Sequence, residues 1–300
     1  MTYGVIDVGS NTIRLCIYNI EGDRIISLFN NKNTAGLIDY VNDGELSGKG
    51  IKKACDVLNS QRYMAAQAQV KELYVFATAS LRNISNTGEA VRRIKEETGL
   101  DVDVLSGYDE AILDFEGAAH AKHLEDGIMV DIGGGSTEIL VFEKGRIKNA
   151  ASMDIGSLYM YRNYVSKLFP RRNERKAIAR RTEAELKKLK FLKRNVFADM
   201  VGIGGTIRAV KKFNNDIFGL SRSNDRIPVE NLKELVYELQ DDEKQTLKKV
   251  LRVAPDRVHT LIPGMIILST VCRMCGCREI TMSEYGVREG YLYKKAVIEK

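Results

Sequence analysis

Hydrophobic residues in this chain occur in short runs of strand type, separated by segments with helical spacing. Near the N-terminus, apolar runs at 3–8, at 13–20 and within 21–30 predict three strands. Residues 50–69 carry apolar positions three and four apart, which predicts a helix, and 72–77 predicts a fourth strand. The order strand, strand, strand, helix, strand is typical of a lobe of the α/β class.

The rest of the chain continues to alternate strands and helices. The segment 31–47 is rich in Asn, Gly and Asp and predicts a long loop. A helix over 257–275 is predicted to be interrupted near its Pro-Gly pair. Thr206 is predicted to cap a helix over 207–213. Further strands are predicted at 102–105, 127–130, 138–142, 145–151, 199–205 and 279–283, and further helices at 88–98, 107–122, 229–239, 242–252 and 287–300.

A glycine turn joins the strands at 127–130 and 138–142. It consists of Gly133, Gly134 and Gly135, followed by Ser136. Glycine permits left-handed and otherwise restricted backbone angles, and it lacks the Cβ atom that would keep a bulky anion away from the backbone amides. The turn therefore predicts a phosphate-binding loop, and an ordinary glycine-rich hairpin is the alternative.

Two carboxylates flank this turn. Asp131 stands at the end of the first strand and Glu138 at the start of the second. Such a pair suits Mg²⁺ and the placement of a water molecule, but it would repel a bare phosphate. A bridging divalent cation is therefore expected.

A second copy of the pattern lies at the N-terminus. Asp7 ends an apolar run and is followed by Gly9, Ser10, Asn11 and Thr12, after which an alternating strand begins. Two such hairpins in one chain indicate two related lobes that face each other across a cleft, each with a phosphate-binding turn. The predicted boundary between the two lobes lies at 123/124.

Hydroxyl groups and an arginine follow the strand at 72–77. Thr78, Ser80 and Arg82 lie just past its carboxyl end, where ligands bind in α/β folds, and a guanidinium can grip two phosphate oxygens. The alternative is a helix cap formed by Thr78 or Ser80, with Arg82 on the surface.

Asp109 and Glu110 open the helix predicted at 107–122. Acidic residues in a first helical turn usually complement the helix dipole. The functional alternative is that one of them points into the cleft as a general base.

Composition narrows the class of protein. The chain has 300 residues, enough for two domains, and a formal net charge of +6, which favours anionic partners. Its five cysteines do not form a disulfide framework and indicate a reducing cytosol. No apolar run reaches transmembrane length, so we expect a cytoplasmic protein without a membrane partner.

The motifs together resemble the exopolyphosphatase / guanosine pentaphosphate phosphohydrolase family over nearly the whole chain. Those that carry the resemblance are Asp-x-Gly-Ser-Asn-Thr at 7–12 with Arg14, Ala-Thr-Ala-Ser-Leu-Arg at 77–82, Ser-Gly-x-Asp-Glu-Ala at 106–111 and Asp-Ile-Gly-Gly-Gly-Ser-Thr-Glu at 131–138. The later segments at 202–206, 255–264 and 283–290 are similar to the family as well.

The resemblance implies the two-domain fold of the actin, Hsp70 and sugar-kinase group, which is ribonuclease H-like, and a metal-dependent phosphoanhydride hydrolase. It also implies that the last helix returns to the first lobe, so that the N-terminal lobe is 1–123 with about 286–300 and the C-terminal lobe is 124–285. It implies that Glu110 is the catalytic base, with Glu138 as a second catalytic carboxylate, and that Mg²⁺ or another divalent cation is the cofactor. The implied metal ligands are Asp7, Asp131 and Glu138, and the implied phosphate-binding residues are Ser10, Asn11, Arg14, Thr78, Arg82, Gly133, Gly134, Gly135 and Ser136.

The implied substrates are inorganic polyphosphate and guanosine penta- or tetraphosphate. The chain departs from the family pattern at 33–37, which leaves the choice between them open, and at Asp109, where the family usually has Glu. A homodimer is compatible with the resemblance, and no specific nucleic acid is expected. The competing hypotheses are an ATP-using kinase of the same fold and a non-catalytic sensor of these phosphates.

Two further features of the sequence each allow two interpretations. Lysine and arginine greatly outnumber acidic residues over 167–194, which predicts either a solvated helical face or a stripe that binds polyphosphate. Cys272, Cys275 and Cys277 lack a fourth zinc ligand at matching spacing, so we expect buried structural thiols, with zinc as the alternative.

Overall fold

The computed structural model describes residues 1–22, 24–193, 196–239 and 242–298. The strands are β1 (Thr2–Val8), β2 (Thr12–Glu21), β3 (Arg24–Thr34), β4 (Val41–Asn42), β5 (Glu45–Leu46), β6 (Glu72–Ala77), β7 (Asp103–Val104), β8 (Gly127–Ile132), β9 (Thr137–Glu143), β10 (Arg146–Met153), β11 (Asp199–Ile203), β12 (Arg226–Pro228) and β13 (Glu279–Met282). The α-helices are α1 (Gly48–Gln67), α2 (Ala79–Arg82), α3 (Thr87–Thr98), α4 (Gly107–Ala121), α5 (Ser157–Tyr164), α6 (Arg172–Lys188), α7 (Gly204–Ile217), α8 (Val229–Glu238), α9 (Glu243–Val253), α10 (Leu261–Cys275) and α11 (Val287–Tyr293). Short 3₁₀-helices span Leu37–Tyr40, Lys190–Leu192 and Pro255–Arg257, and Lys294–Ile298 forms a π-helix.

The chain divides into two compact units. The first consists of Met1–Glu110 and Tyr291–Lys300, and the second of Ala111–Gly290. The division falls inside α4 and inside α11, whereas the sequence boundary lies at 123/124 and about 286. That boundary stays a prediction, and the structure assigns most of α4 to the second unit because Phe115 packs against Phe142 of β9, with ring centroids 5.3 Å apart.

Five strands of each unit's sheet follow the same order, and the second sheet has β12 as an additional antiparallel edge strand. In the first unit the order is β3-β2-β1-β6-β7, and in the second it is β10-β9-β8-β11-β13-β12. In each unit the first three strands form antiparallel hairpins, and the next two run parallel to the central strand. The shared order extends the similarity of the two glycine turns to whole sheets.

The apolar core of the second unit follows the alternation of side chains along β8. Ile128, Val130 and Ile132 point to the larger core, which contains α7 and α10, while Met129 points to the face covered by α4. Asp131 shares the face of Met129 by the same alternation.

In the described part of the chain, no helix combines the length and apolar character needed to span a bilayer.

In the first unit, the C-terminal segment covers the face of the sheet that carries Asp7. The ring of Tyr291 lies 4.8 Å, between centroids, from that of Phe76, and its hydroxyl donates to the carboxylate of Asp103. The predicted last helix ends earlier than expected, at Tyr293, and gives way to the π-helix. Positions 299 and 300 of that prediction lie outside the described residues.

Two predictions of secondary structure were wrong. The expected loop at 31–47 instead extends β3 to Thr34 and then forms a 3₁₀-helix and the hairpin β4–β5. The expected interruption of the helix at Pro263 does not occur, because α10 begins only at Leu261. Proline is tolerated in a first helical turn, where its missing N–H has no partner within the helix.

The cysteines near the C-terminus of α10 are buried, as expected. Cys272, Cys275 and Cys277 line the core of the second unit as free thiols. Burial raises the pKa of the Cys275 thiol to about 12, and a hydrogen bond with Cys277 together with burial raises that of Cys272. The thiols of Cys272 and Cys275 are therefore neutral packing groups at physiological pH.

In the second unit, the backbone of α4 at Gly117 lies close to that of Gly286, just before α11. A Cβ atom added at Gly117 would lie 2.2 Å from the carbonyl oxygen of Gly286. Beside this contact, the fully buried carboxylate of Asp114 accepts a hydrogen bond of 2.8 Å from the amide of Val287 at the start of α11. The two backbones therefore approach closely enough for a carboxylate on α4 to cap α11.

We expect Gly117→Ala to destabilise the protein by about 1–3 kcal/mol, because the added methyl group must displace the backbone of Gly286. The measurement is the free energy of unfolding in urea. Gly88→Ala is the matched control: Gly88 lies in the first turn of α3, and an added Cβ there would meet no atom within 4 Å. An equal loss of stability in the two variants would contradict the packing argument.

Candidate active site

The two predicted phosphate turns have the same internal hydrogen bond. In the first unit the amide of Gly9 donates to the carbonyl of Thr12 at 3.0 Å, and in the second the amide of Gly133 donates to the carbonyl of Ser136 at 3.0 Å. An added Cβ would lie 3.0 Å from the carbonyl oxygen of Thr12 in one turn and 3.3 Å from that of Ser136 in the other. A side chain in place of the first glycine of either turn would therefore crowd this carbonyl oxygen.

One part of the reasoning about these glycines was wrong. Gly133, Gly134 and Gly135 do not occupy the left-handed region. The glycine of the second unit that does so near Asp131 is Gly204, with φ of 82°, where an added Cβ would lie 2.0 Å from Oδ1 of Asp131. The carboxylate of Asp131 therefore packs against the first residue of α7, where the positive end of the helix dipole favours a negative charge.

The carbonyl groups of the turn in the second unit are held by the N-terminus of α5. The amide and hydroxyl of Ser157 donate to the carbonyl of Gly133 at 2.9 and 3.0 Å, and the amide of Leu158 donates to that of Gly134 at 3.0 Å. Gly156 permits this contact, since an added Cβ would lie 2.4 Å from the carbonyl of Gly134. Within the described residues, no hydrogen bond uses the amides of Gly134 and Gly135, so both remain available to an anion.

The first unit holds its turn in an analogous way. The amide of Ile38 donates to the carbonyl of Ser10 at 3.0 Å, and the amide of Gly36 donates to that of Asn11 at 2.9 Å. Both donors belong to the segment that the sequence had predicted as a loop. In each unit, the chain that leaves the third strand begins a helix whose first amides bind the carbonyls of the turn.

A hydroxyl group donates a hydrogen bond to the backbone carbonyl that precedes each turn. Ser80 donates to the carbonyl of Val8, which precedes Gly9, and Thr206 donates at 2.7 Å to the carbonyl of Ile132, which precedes Gly133. Each hydroxyl is the third residue after its strand, β6 or β11. This finding corrects the expected caps, because Ser80, Thr206 and Thr78 make no side-chain capping bond, and α7 already begins at Gly204.

Asp7 of the first unit and Asp131 of the second are paired with different residues across their hairpins. Asp7 is paired in register with Arg14 across β1 and β2, and Asp131 with Glu138 across β8 and β9. Glu138 is buried and accepts a hydrogen bond of 2.7 Å from Ser152. The hairpin of the second unit thus presents two carboxylates, and that of the first presents a carboxylate and a guanidinium.

The structure separates the two acids at the start of α4. Asp109 is exposed and accepts a hydrogen bond of 2.6 Å from Ser106, whose oxygen accepts from the amide of Asp109 at 3.0 Å. Asp109 therefore belongs to the helix cap. Glu110 is 7% exposed, and Nη1 of Arg82 lies 2.7 Å from its Oε2. Arg82 also donates to the carbonyl of Leu105 at 3.2 Å, so it is held on two sides rather than lying on the surface.

Sequence reasoning missed an arginine in the second unit. Arg208 is the fifth residue after β11, as Arg82 is the fifth after β6, and the segments read Gly-Thr-Ile-Arg and Ala-Ser-Leu-Arg. The signal was therefore present in the internal repeat. Burial, and next to it the charge of Arg288, lowers the pKa of Arg208, to which Arg257 contributes as well.

These arginines form a cationic cluster beside Asp131. Nη2 of Arg257 lies over Gly205, where an added Cβ would be 1.9 Å away, and the charges of Asp131 and Glu289 favour the charged form of Arg208. Three guanidinium groups in a largely buried setting repel each other, and an anion bound among them would relieve that repulsion. The cluster is a candidate anion site at the N-terminus of α7.

The predicted site residues therefore fall into two sets. The first unit holds Asp7, Ser10, Asn11, Arg14, Thr78, Arg82 and Glu110, and the second holds Asp131, Gly133, Gly134, Gly135, Ser136 and Glu138. Among the described residues, no group of three or more His, Cys, Asp or Glu side chains is arranged to hold a metal ion. Their catalytic, phosphate-binding and metal-binding roles stay predictions.

The comparison with known proteins decides the family. Residues 16–298 match the model of the Ppx/GppA phosphatase family. The chain belongs to this family. Exopolyphosphatase 1 of Mycobacterium bovis is 22% identical over 98% of this chain and 88% of its own length.

Solved structures that are similar to this chain have the same fold. An exopolyphosphatase from Cytophaga hutchinsonii is 26% identical, with a TM-score of 0.87 over 98% of this chain and 97% of its own. The Aquifex aeolicus member of the Ppx/GppA family is 23% identical, with a TM-score of 0.82 over 100% of this chain and 99% of its own. The predicted family and fold class, two actin-like units of α/β type, are confirmed.

We expect Gly156→Ala to weaken the binding of inorganic phosphate at least about tenfold, because the added methyl group must push the glycine turn away from α5. The measurement is a phosphate titration by calorimetry, together with thermal unfolding. Ser157→Ala removes only the hydroxyl bond to Gly133 and should have a smaller effect. Phosphate affinity unchanged in Gly156→Ala would show that the turn does not bind phosphate.

Proposed function

We propose that this protein is a hydrolase of phosphoric anhydrides that releases terminal orthophosphate from inorganic polyphosphate, guanosine pentaphosphate or both. The observation that carries the proposal is the glycine turn of the second unit, with the amides of Gly134 and Gly135 available to an anion and two carboxylates facing each other across its strands. Membership of a phosphatase family and similarity to exopolyphosphatases support hydrolysis of polyphosphate.

In this proposal the turn amides bind the non-bridging oxygens of a phosphate. The protein need not form a covalent bond to the substrate to hydrolyse an anhydride. Positioning of the phosphate and the water, and neutralisation of the phosphate charge, therefore supply most of the catalysis. The turn is suited to positioning because the helix α5 and Thr206 hold its carbonyls and the preceding strand end. Arg208 and Arg257 would add positive charge beside it.

Glu110 is the proposed general base of the reaction. It is buried, and the guanidinium of Arg82 stabilises its carboxylate charge and fixes one of its oxygens. The other oxygen of this carboxylate is the group proposed to accept a proton from, or to orient, the attacking water. Asp109 is a poor candidate for that role, since it is exposed and used in the cap of α4.

Mg²⁺ is the proposed cofactor. Asp131 and Glu138 provide oxygen ligands on one face of neighbouring strands, and a metal that needs only one or two protein carboxylates besides phosphate oxygens and water fits such a pair. Asp7 is the proposed ligand from the first unit. When bound, the cation would neutralise the charge that these carboxylates direct at a phosphate.

We expect Glu110→Gln to lower the turnover of short-chain polyphosphate by about 10²–10⁴-fold, because glutamine cannot accept the proton of the attacking water. Glutamine retains an oxygen for Arg82, so the fold and ligand affinity should change little. The measurement is orthophosphate release from short-chain polyphosphate, long-chain polyphosphate and guanosine pentaphosphate in parallel.

Asp109→Asn is the matched control, since it removes a neighbouring carboxylate outside the proposed chemistry, and it should retain most of the activity. Undiminished release by Glu110→Gln would exclude Glu110 as the base. If the unaltered protein binds the three phosphates but releases orthophosphate from none of them, the protein is a sensor rather than a hydrolase.

We expect EDTA to abolish release and Mg²⁺ to restore it. Asp131→Asn should raise the Mg²⁺ concentration needed for half-maximal activity by about tenfold or more, because it replaces a charged ligand by a neutral one. Asp199→Asn, an exposed carboxylate at the first residue of β11, is the control and should leave that concentration unchanged. Full activity in EDTA would contradict the proposed cofactor.

A further inference from the structure

A basic groove lies at the end of α7 away from the glycine turn. Its volume is about 490 Å³, and Lys211 and Lys212 of α7, Arg222 of the following loop and Arg252 of α9 line it. Asp216, the acidic residue in its lining, is paired with Arg252. The groove lies wholly within the second unit and contains none of the residues assigned to phosphate, metal or proton transfer above.

The positive charge of this groove is poorly compensated. Among the described residues, no carboxylate oxygen lies within 4.0 Å of the side-chain nitrogens of Lys211, Lys212 or Arg222. By contrast, Lys249 of α9 lies 2.9 Å from a carboxylate oxygen of Glu238. The groove is therefore a concave surface where unpaired cations converge, which attracts multivalent anions.

The loop that carries Arg222 is held in place. The buried side chain of Asn215 donates to the carbonyls of Ser221 and Asn224, both at 2.9 Å, and accepts from the side-chain amide of Asn224 at 2.8 Å. The amide of Leu220 also donates to the carbonyl of Asn215 at 2.8 Å. Arg222 is thus presented by an ordered loop, so little conformational entropy is lost when an anion binds.

Helix α7 connects the groove to the arginine cluster. Lys211 and Lys212 follow Arg208 by three and four residues, so these side chains share one side of the helix. Arg208 and Lys212 are separated by about 6 Å along the axis at the rise of an α-helix. A continuous row of cations therefore runs from the candidate anion site at the N-terminus of α7 to the groove.

We infer that this groove binds the distal phosphates of an inorganic polyphosphate chain whose end lies at the glycine turn. A linear polyanion fits a row of cations, whereas none of the described lining residues is aromatic and able to stack on a nucleobase. The inference rests on the proposed function for the identity of the substrate, although binding to the groove does not require hydrolysis.

In the region 167–194, for which the sequence also predicted a polyphosphate stripe, several cations are already engaged in contacts within the protein. Arg175 of α6 donates hydrogen bonds to the carbonyls of Val236 and Leu239 at the C-terminal end of α8. Arg181 and Lys188 each lie 2.8 Å from Glu185. Position 194 of this stripe lies outside the described residues. Lys176 and Arg180 are exposed on α6, and they provide a matched pair for removing the same charge elsewhere.

The test compares Lys212→Gln/Arg222→Gln with Lys176→Gln/Arg180→Gln and the unaltered protein. Binding of labelled long-chain polyphosphate is measured in EDTA over a range of salt concentrations, and orthophosphate release is measured from tripolyphosphate and from the long chain. We expect the groove variant to lose about tenfold in long-chain affinity and to show a shallower salt dependence, with unchanged kcat/KM on tripolyphosphate. The α6 variant should bind like the unaltered protein.

Long-chain affinity unchanged in the groove variant, or lowered equally in both variants, would overturn the assignment of the groove. An equal loss of activity on tripolyphosphate and on the long chain would overturn it too, since the inference assigns the groove only to the distal phosphates of a long chain. If the unaltered protein releases no orthophosphate, the proposed function fails, while the binding measurement in EDTA still decides whether the groove holds polyphosphate.

Discussion

The carbonyl groups of the two glycine turns are fixed by hydrogen bonds, and the candidate chemistry of the protein depends on this constraint. In the second unit, α5 binds the carbonyls of Gly133 and Gly134, and Thr206 binds that of Ile132. Because opposite sides of a peptide carry its C=O and N–H, holding the carbonyls also directs the turn amides. Preorganised donors of this kind stabilise anions without a further cost of reorganisation.

Charge is distributed unevenly around the glycine turn of the second unit. Asp131 packs at the start of α7, where the helix dipole and Arg208 favour its negative charge, while Arg257 and Arg288 add positive charge. The pKa of Arg208 is lowered mainly by burial, which shows that its charge is held in a poorly solvated position. Such a setting costs stability in the free protein and is typical of sites that bind or transform charged ligands.

Much of the fold and of the candidate site followed from local patterns. The strand at 72–77 and the end of the helix at Thr98 agree with the structure, because a short apolar run and a glycine just after a helix, here the left-handed Gly99, are local signals. The segment 31–47 was misread, because its polar residues lie on β3 and on a 3₁₀-helix whose amides serve the turn at Ser10. The partner that orders this segment is distant in sequence, so composition alone favoured a loop.

The sequence by itself determined the family, the duplicated glycine turns and the set of candidate residues, since these depend on residue types at fixed spacing. Only the tertiary structure decided that Asp109 caps α4 whereas Glu110 is buried against Arg82, because adjacent helical positions point about 100° apart into different surroundings. It also decided that Arg208 meets Arg257 and Arg288 and that Lys212 shares a groove with Arg222. Those groups come from separate elements, and their proximity exists only after the sheet and helices have packed.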